Sequence, residues 1–172
     1  MVQYRVLSAL CLLAAAPAAT GALDLRSNFD QRLLSAHNAA RGEVGVQPMR
    51  WDPALAADAK GWANHLAATG RFEHSPDDPA TEQQGENLWA GTPGSFSPES
   101  MVQLWRAEKR NFRSGIFPYN SASGRVSDVS HYTQLVWSRS RRVGCALTTG
   151  KVEDILVCRY SDAGNIVGET PI

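Results

Sequence analysis

Apolar positions recurring at three- and four-residue steps predict a first helix over about 30–44. There Leu33, Leu34, His37, Ala40 and Arg41 share one side, and Gly42 and Gly45 end the element. A second helix is predicted after Asp52-Pro53, with Asp52 as the cap and Pro53 in the first helical position. Leu55, Ala59, Trp62 and Leu66 form its buried stripe, and Gly70 stops it. From Arg71 to Ser97 the periodicity fails at Pro76, Pro79, Gly85, Gly91, Pro93 and Gly94, which predicts a long loop region of the kind that carries function or moves. Ser97-Pro98-Glu99 then opens a third helix. Met101, Leu104, Trp105, Glu108 and Phe112 fall on one of its faces, while Arg106, Lys109, Arg110 and Arg113 occupy another that reads as solvated.

Two polar residues sit awkwardly in this pattern. Glu108 shares a face with Leu104, Trp105 and Phe112, where a carboxylate needs a hydrogen-bond partner, a cation or a raised pKa, unless it reaches water at the stripe's edge. Ser130 to Trp137 is rich in strand-favouring residues and reads as a buried strand with His131 at its mouth. That imidazole is either satisfied by a carbonyl or part of a site. Val143 to Leu147 and Ile155 to Tyr160 read as an antiparallel hairpin around the turn-like stretch from Thr148 to Asp154.

The chain has 172 residues, and its first 22 have the form of a secretory leader: Arg5, an apolar run from Val6 to Ala16, then small residues at Ala18, Gly21 and Ala22. The apolar run is too short to span a bilayer, so no transmembrane anchor is expected. Cys11 follows Leu10 rather than the small residue expected before a lipid-modified cysteine. Soluble release, outside the cell or into a periplasm, is the expected location. After processing, residues 23–28 form a short lead-in and 29–172 a single domain of ordinary size. Seventeen Lys and Arg balance seventeen Asp and Glu, so net charge gives no argument for nucleic acid or an anionic membrane as partner.

Losing the leader also removes Cys11, leaving Cys145 and Cys158 in an oxidising compartment. The midpoint between them falls between Lys151 and Val152, so a symmetric hairpin sets the two opposite each other and predicts a cross-strand disulfide. Closing a loop of roughly 15 residues is worth about 3 kcal/mol in the chain-entropy account.

His74, Glu86, Glu108 and His131 are the polar groups that stand out. Two imidazoles with two carboxylates suit a borderline divalent cation such as zinc, and could equally run acid and base steps through a bound water. The sequence contains no His-Glu-x-x-His pair, no Gly-x-Ser-x-Gly elbow and no phosphate-binding glycine loop.

Four segments in order resemble the signatures of the CAP superfamily, which groups cysteine-rich secretory proteins, antigen 5 and pathogenesis-related group one proteins. They are His37-Asn38-Ala39-Ala40-Arg41; Gly85-Glu86-Asn87-Leu88; His131 to Trp137 with Gly144-Cys145; and Leu156 to Tyr160 with Gly164-Asn165-Ile166. The resemblance covers about Phe29 to the C-terminus. It implies an α+β fold, a three-layer α-β-α sandwich around a mainly antiparallel sheet, with His74, Glu86, Glu108 and His131 in one cleft. In zinc-binding members the two histidines are direct ligands and the glutamates act through water or orient the rings. His37, Asn38 and Arg41 correspond to fold-supporting residues. The chain departs from the plant pattern in keeping two cysteines rather than six, and in carrying Ser130 where relatives commonly have glycine. With no cysteine-rich tail after Ile172, ion-channel modulation of the kind tied to that tail is not expected.

Three functions follow from the resemblance. The first is a secreted module that binds a sterol, a fatty acid or another ligand, or an unidentified protein partner, beside a cleft competent for zinc or another divalent cation. It would serve defence, host interaction or envelope biology. The second is a metal-assisted hydrolase in which Glu86 or Glu108 activates a water held by His74 and His131. The third is a purely structural tetrad.

Overall fold

The computed structural model describes residues 25–76 and 82–172, so the expected leader lies outside the described residues. The chain runs through α1 (Phe29–Gly42), β1 (Arg50–Trp51), α2 (Pro53–Thr69), β2 (Gly85–Gly91), α3 (Pro98–Ala107), α4 (Ser130–Leu135), β3 (Arg142–Thr149) and β4 (Asp154–Tyr160). Capping chemistry fixes two of the helix starts. The Asp52 carboxylate accepts from the amides of Ala54 and Leu55, Pro53 follows it, and Gly70 closes α2 in the left-handed conformation. Ser97 accepts from Ser100 N–H to start α3. α1 stops at Gly42, two residues before its expected end, and buries Leu33, His37, Ala40 and Arg41.

The strands order as β1-β3-β4-β2, with β1 parallel to β3 and the other two pairings antiparallel. Alternation divides the core between the two faces. Val143, Cys145, Leu156, Cys158, Tyr160 and Trp89 pack with Leu33 of α1 and with Met101, Val102 and Trp105 of α3. Ile155, Val157 and Leu88 pack with Ala59, Ala63 and Leu66 of α2. The result is an α+β fold with helices on both sides of the sheet. In the hairpin register Cys145 faces Cys158, and the two form the expected disulfide. No helix among the described residues is long and apolar enough to cross a membrane.

Three expectations are corrected. Ser130 to Trp137 is not a strand, because Ser130–Leu135 forms α4. Glu108 Oε2 accepts the amides of His131 and Tyr132 at 3.0 and 3.1 Å, placing an anion on the first turn. A charge supplied from another helix outweighs the strand preference of Tyr132, Thr133 and Val136. The region read as loop between Arg71 and Ser97 contains β2. Its terminal Gly85 stands where a Cβ would lie 2.2 Å from Gln134 Oε1, so that glycine permits close approach and does not break the strand. The third helix yields at Glu108 to a 3-10 turn, Glu108–Asn111. Its buried residues are Pro98, Met101, Val102 and Trp105, while Leu104 is 52% exposed.

Arg41 is fully buried, with no carboxylate ion pair among the described residues. Its Nε donates to Gln47 O at 2.8 Å, and its terminal nitrogens donate to Leu135 O, Trp137 O and Ser140 O at 3.1, 2.9 and 2.9 Å. Burial lowers its pKa to about 10, which leaves it charged at neutral pH. Replacing it as Arg41→Met removes a buried donor from the Leu135, Trp137 and Ser140 carbonyls and is expected to cost about 3 to 5 kcal/mol in denaturant unfolding. Arg41→Lys should recover only part of that, since an ammonium cannot reproduce the guanidinium fork.

Candidate functional site

Register and loop anchoring assemble the first half of the site. On the edge strand β2, Glu86 shares a face with Leu88 and pairs across the sheet with Arg159 of β4. Arg159 lies 3.1 Å from Glu86 Oε2. The segment after α2 is tied down by the Trp62 indole N–H, which donates to Glu73 O at 3.1 Å. This brings His74 and Ser75 onto the same carboxylate, where Glu86 Oε1 accepts from His74 Nδ1 at 2.6 Å and from Ser75 N–H at 3.1 Å. An ionised carboxylate only accepts, so a proton sits on His74 Nδ1, and the ring in its neutral form offers its Nε2 lone pair outward.

His131 is held in the same manner from the other side of β2. Its Nδ1 donates to Glu108 Oε1 at 2.6 Å, while Glu108 Oε2 holds the two backbone amides at the start of α4. The Trp105 ring lies parallel to the imidazole with centroids 6.2 Å apart, and its indole N–H donates to Leu88 O. Asn87, on the opposite face of β2 from Glu86, donates to His131 O at 3.1 Å. Neither His74 nor His131 has a protein partner at Nε2 among the described residues.

Gln134 joins the two halves. Its Oε1 accepts from Gly164 N–H at 2.9 Å and its Nε2 donates to Ser140 Oγ at 3.2 Å. A Cβ at Gly85 or at Gly164 would meet its amide at 2.2 or 2.7 Å. The side chain thereby wedges α4 against β2 and against the loop that follows β4.

A cleft of about 800 Å³ opens beside this wedge, lined among others by Asp58, His74, Gln84, Glu86, Gln134 and Arg159. Its walls mix polar and apolar surface and hold unsatisfied groups: Gln84 Oε1, Glu86 Oε2 and Arg159 Nε are buried without an aligned hydrogen bond. The Glu86–Arg159 contact is thus an ion pair by distance that leaves hydrogen-bonding capacity on both sides. Such groups require a water or a ligand. Glu86 is only 7% exposed, so its charge is held by His74 and Arg159 and not by bulk solvent.

The structure therefore brings His74 to Glu86 and His131 to Glu108. It does not gather the four into one coordination sphere, since the one group of three metal-donor residues within 4.8 Å among the described residues is His37, Cys145 and Cys158. That group could take a soft cation only after reduction, because its sulfurs are joined in the disulfide. Its imidazole is occupied as well: Nδ1 lies 2.8 Å from Leu33 O, and Nε2 lies 2.9 Å from the Tyr160 hydroxyl. Burial drops the His37 pKa to about 4 and raises that of Tyr160, so both stay neutral. Beside it, Asn38 Nδ2 donates to Met49 O and Oδ1 accepts Met49 N–H.

Sequence reasoning assigned no role to Arg159, Gln134 or Asn87, although all three lie within the signature segments. Alternation along β4 was the available signal for Arg159, since Cys158 and Tyr160 point to the core and a charged neighbour must point to the other face.

The Glu86 hydrogen bond is the largest influence on His74 and raises its pKa above the ordinary 6.5. A folded value above the unfolded one means the pair stabilises the fold fully below pH 6.5, and that contribution disappears as pH rises through the raised value. In metal-free protein, NMR titration should show His74 deprotonating above the ordinary imidazole value, and Glu86→Gln should bring it down.

The model of the Cysteine-rich secretory protein family (CAP) matches residues 34–160. Pathogenesis-related protein 1 of Arabidopsis thaliana is 40% identical over 159 residues, covering 90% of this chain and 91% of the relative. Pathogenesis-related protein 1C of Nicotiana tabacum is 38% identical over 145 residues, covering 84% and 81%. The backbone is similar to the crystal structure of NaASP2 with Zn2+, with a TM-score of 0.69 at 22% identity over 91% of this chain and 89% of that one. It is also similar to the venom allergen-like protein 4 of Schistosoma mansoni, with a TM-score of 0.60 at 21% identity over 84% and 96%. The chain belongs to the cysteine-rich secretory protein family.

Proposed function

We propose that this is a secreted, defence-type CAP protein that takes a divalent cation through the Nε2 atoms of His74, at the edge of the cleft, and His131. The observation that carries this is the pair of 2.6 Å Nδ1 contacts to Glu86 and Glu108, which fix each ring and leave its second nitrogen open. A carboxylate on the far nitrogen is the usual support of a histidine metal ligand, since it sets the tautomer and raises the ring's basicity. Two neutral imidazoles with nearby carboxylates suit zinc. A solved relative of this fold holds Zn2+ by its description, and the sequence relatives are called pathogenesis-related, which supports both halves of the reading. The leader expected over 1–22 supports secretion.

A bound cation would supply positive charge and Lewis acidity to a ligand in the cleft. The protein's own contribution is orientation: Glu86 and Glu108 hold the rings, and Arg159 and Gln84 offer a donor and an acceptor to a polar ligand. Glu108 is fully engaged by His131 and two amides. Glu86 is held through Oε1 by His74 and Ser75, while its Oε2 keeps hydrogen-bonding capacity for a water, which is what the hydrolase alternative would require of it. The structural reading does draw on one observation, the capping of α4 by Glu108, so that carboxylate serves the fold whether or not a cation binds.

Thermal melts across a zinc series separate the readings. Binding to the native state should raise Tm with free zinc, by about 2.7 kcal/mol of stability at a hundredfold excess over Kd. His74→Ala and His131→Ala should each abolish the zinc-dependent rise. A rise unchanged in both variants, or none in the parent, would sink the proposal.

A further inference from the structure

The overall charge balance hides a local asymmetry. Residues 109–127 contain Lys109, Arg110, Arg113 and Arg125 and no carboxylate. Much of this stretch folds into a small hairpin anchored by the buried Phe117. Ala122 N–H donates to Asn111 O, Phe112 bridges Ser121, and Arg113 N–H donates to Asn120 O. The tip closes where Tyr119 N–H meets Ile116 O at 2.8 Å. Phe117 N–H donates to Glu169 O and Phe117 O accepts Gly168 N–H, so the loop bearing Val167 lies against this tip.

The tip exposes what a soluble surface ordinarily covers. Tyr119 is 87% exposed, Val167 75% and Ile116 49%. Scattered apolar residues need no explanation, but these come from two loops stitched together by backbone bonds. Lys109 is matched by Glu43 and Arg125 by Asp128, which also attracts Arg110 from beyond contact distance, whereas Arg113 has no ion-pair partner among the described residues. Glu169, the carboxylate of the neighbouring loop, is already paired with Arg139. An exposed aromatic and two exposed branched aliphatics, with the exposed guanidinium groups of Arg110 and Arg113 in the same segment, match the boundary of an anionic bilayer. There apolar side chains enter the acyl region and cations meet the headgroups. The cleft beside His74 does not include these side chains, which sets the tip apart from it.

We propose that the 114–119 hairpin tip, with Val167, docks this protein peripherally on an anionic lipid surface. The occupant is the bilayer itself, held by Tyr119, Ile116 and Val167 below the headgroups and by Arg110 and Arg113 among them. Sedimentation of the purified protein with phosphatidylcholine vesicles, with and without phosphatidylglycerol, tests it. Binding should require phosphatidylglycerol and weaken as salt is raised. Tyr119→Ser should lower the partition coefficient about tenfold. Arg113→Gln should lower it about fivefold. Both substitutions are at exposed positions, so thermal melts should match the parent. Lack of binding, equal binding to both vesicles, unchanged binding of the variants, or binding that appears only when a sterol is added to phosphatidylcholine would each overturn the proposal.

Discussion

A single buried cation governs how this fold places its site. Arg41 projects from α1 into the core and donates to the carbonyls of Leu135, Trp137 and Ser140, which end α4 and lead toward β3. A charge in the interior is tolerated only when its donors are met, so the backbone from 135 to 140 must converge on it. That convergence fixes the C-terminal end of α4, while Glu108 fixes its first turn through the amides of His131 and Tyr132. A six-residue helix has little stability of its own, and here both ends are held by charges from elsewhere in the chain. His131 and Gln134 inherit their positions from those two anchors.

This dependence explains what the sequence could and could not disclose. Asp52-Pro53 and Gly70 declare the ends of α2 locally, and the spacing of Cys145 and Cys158 about a turn declares the β3–β4 register. No neighbour in sequence announces α4. The residues from Ser130 to Trp137 favour a strand by composition, and the carboxylate that makes them helical lies more than twenty positions away. Gly85 misled for a different reason. It reads as a breaker, yet its missing side chain makes room for the Gln134 amide. Of the site, His74, Glu86, Glu108 and His131 were nameable through the family resemblance, but which carboxylate serves which imidazole is a property of strand register and loop anchoring.

The contrast between histidines is instructive. His37 lies among three potential metal donors, yet both its nitrogens are bonded, its pKa is pushed down to about 4, and the adjacent sulfurs are joined. His74 and His131 lie in no such cluster, yet each is oriented by a carboxylate and keeps one nitrogen open. Proximity of donor types is therefore a poorer guide than the occupancy of their lone pairs. The orphaned Gln84, Glu86 and Arg159 atoms in the neighbouring cleft mark where a polar ligand would find partners. The exposed tip around Tyr119 is a separate surface with a different chemistry.

The central claim is that the two carboxylate-oriented imidazoles, and not the His37 group, receive the cation. Zinc K-edge X-ray absorption of protein loaded with one equivalent of zinc tests this most directly. The account predicts scattering from two imidazoles with oxygen or nitrogen completing the shell, and no sulfur. A zinc–sulfur contribution, or a shell with fewer than two imidazoles, would contradict it.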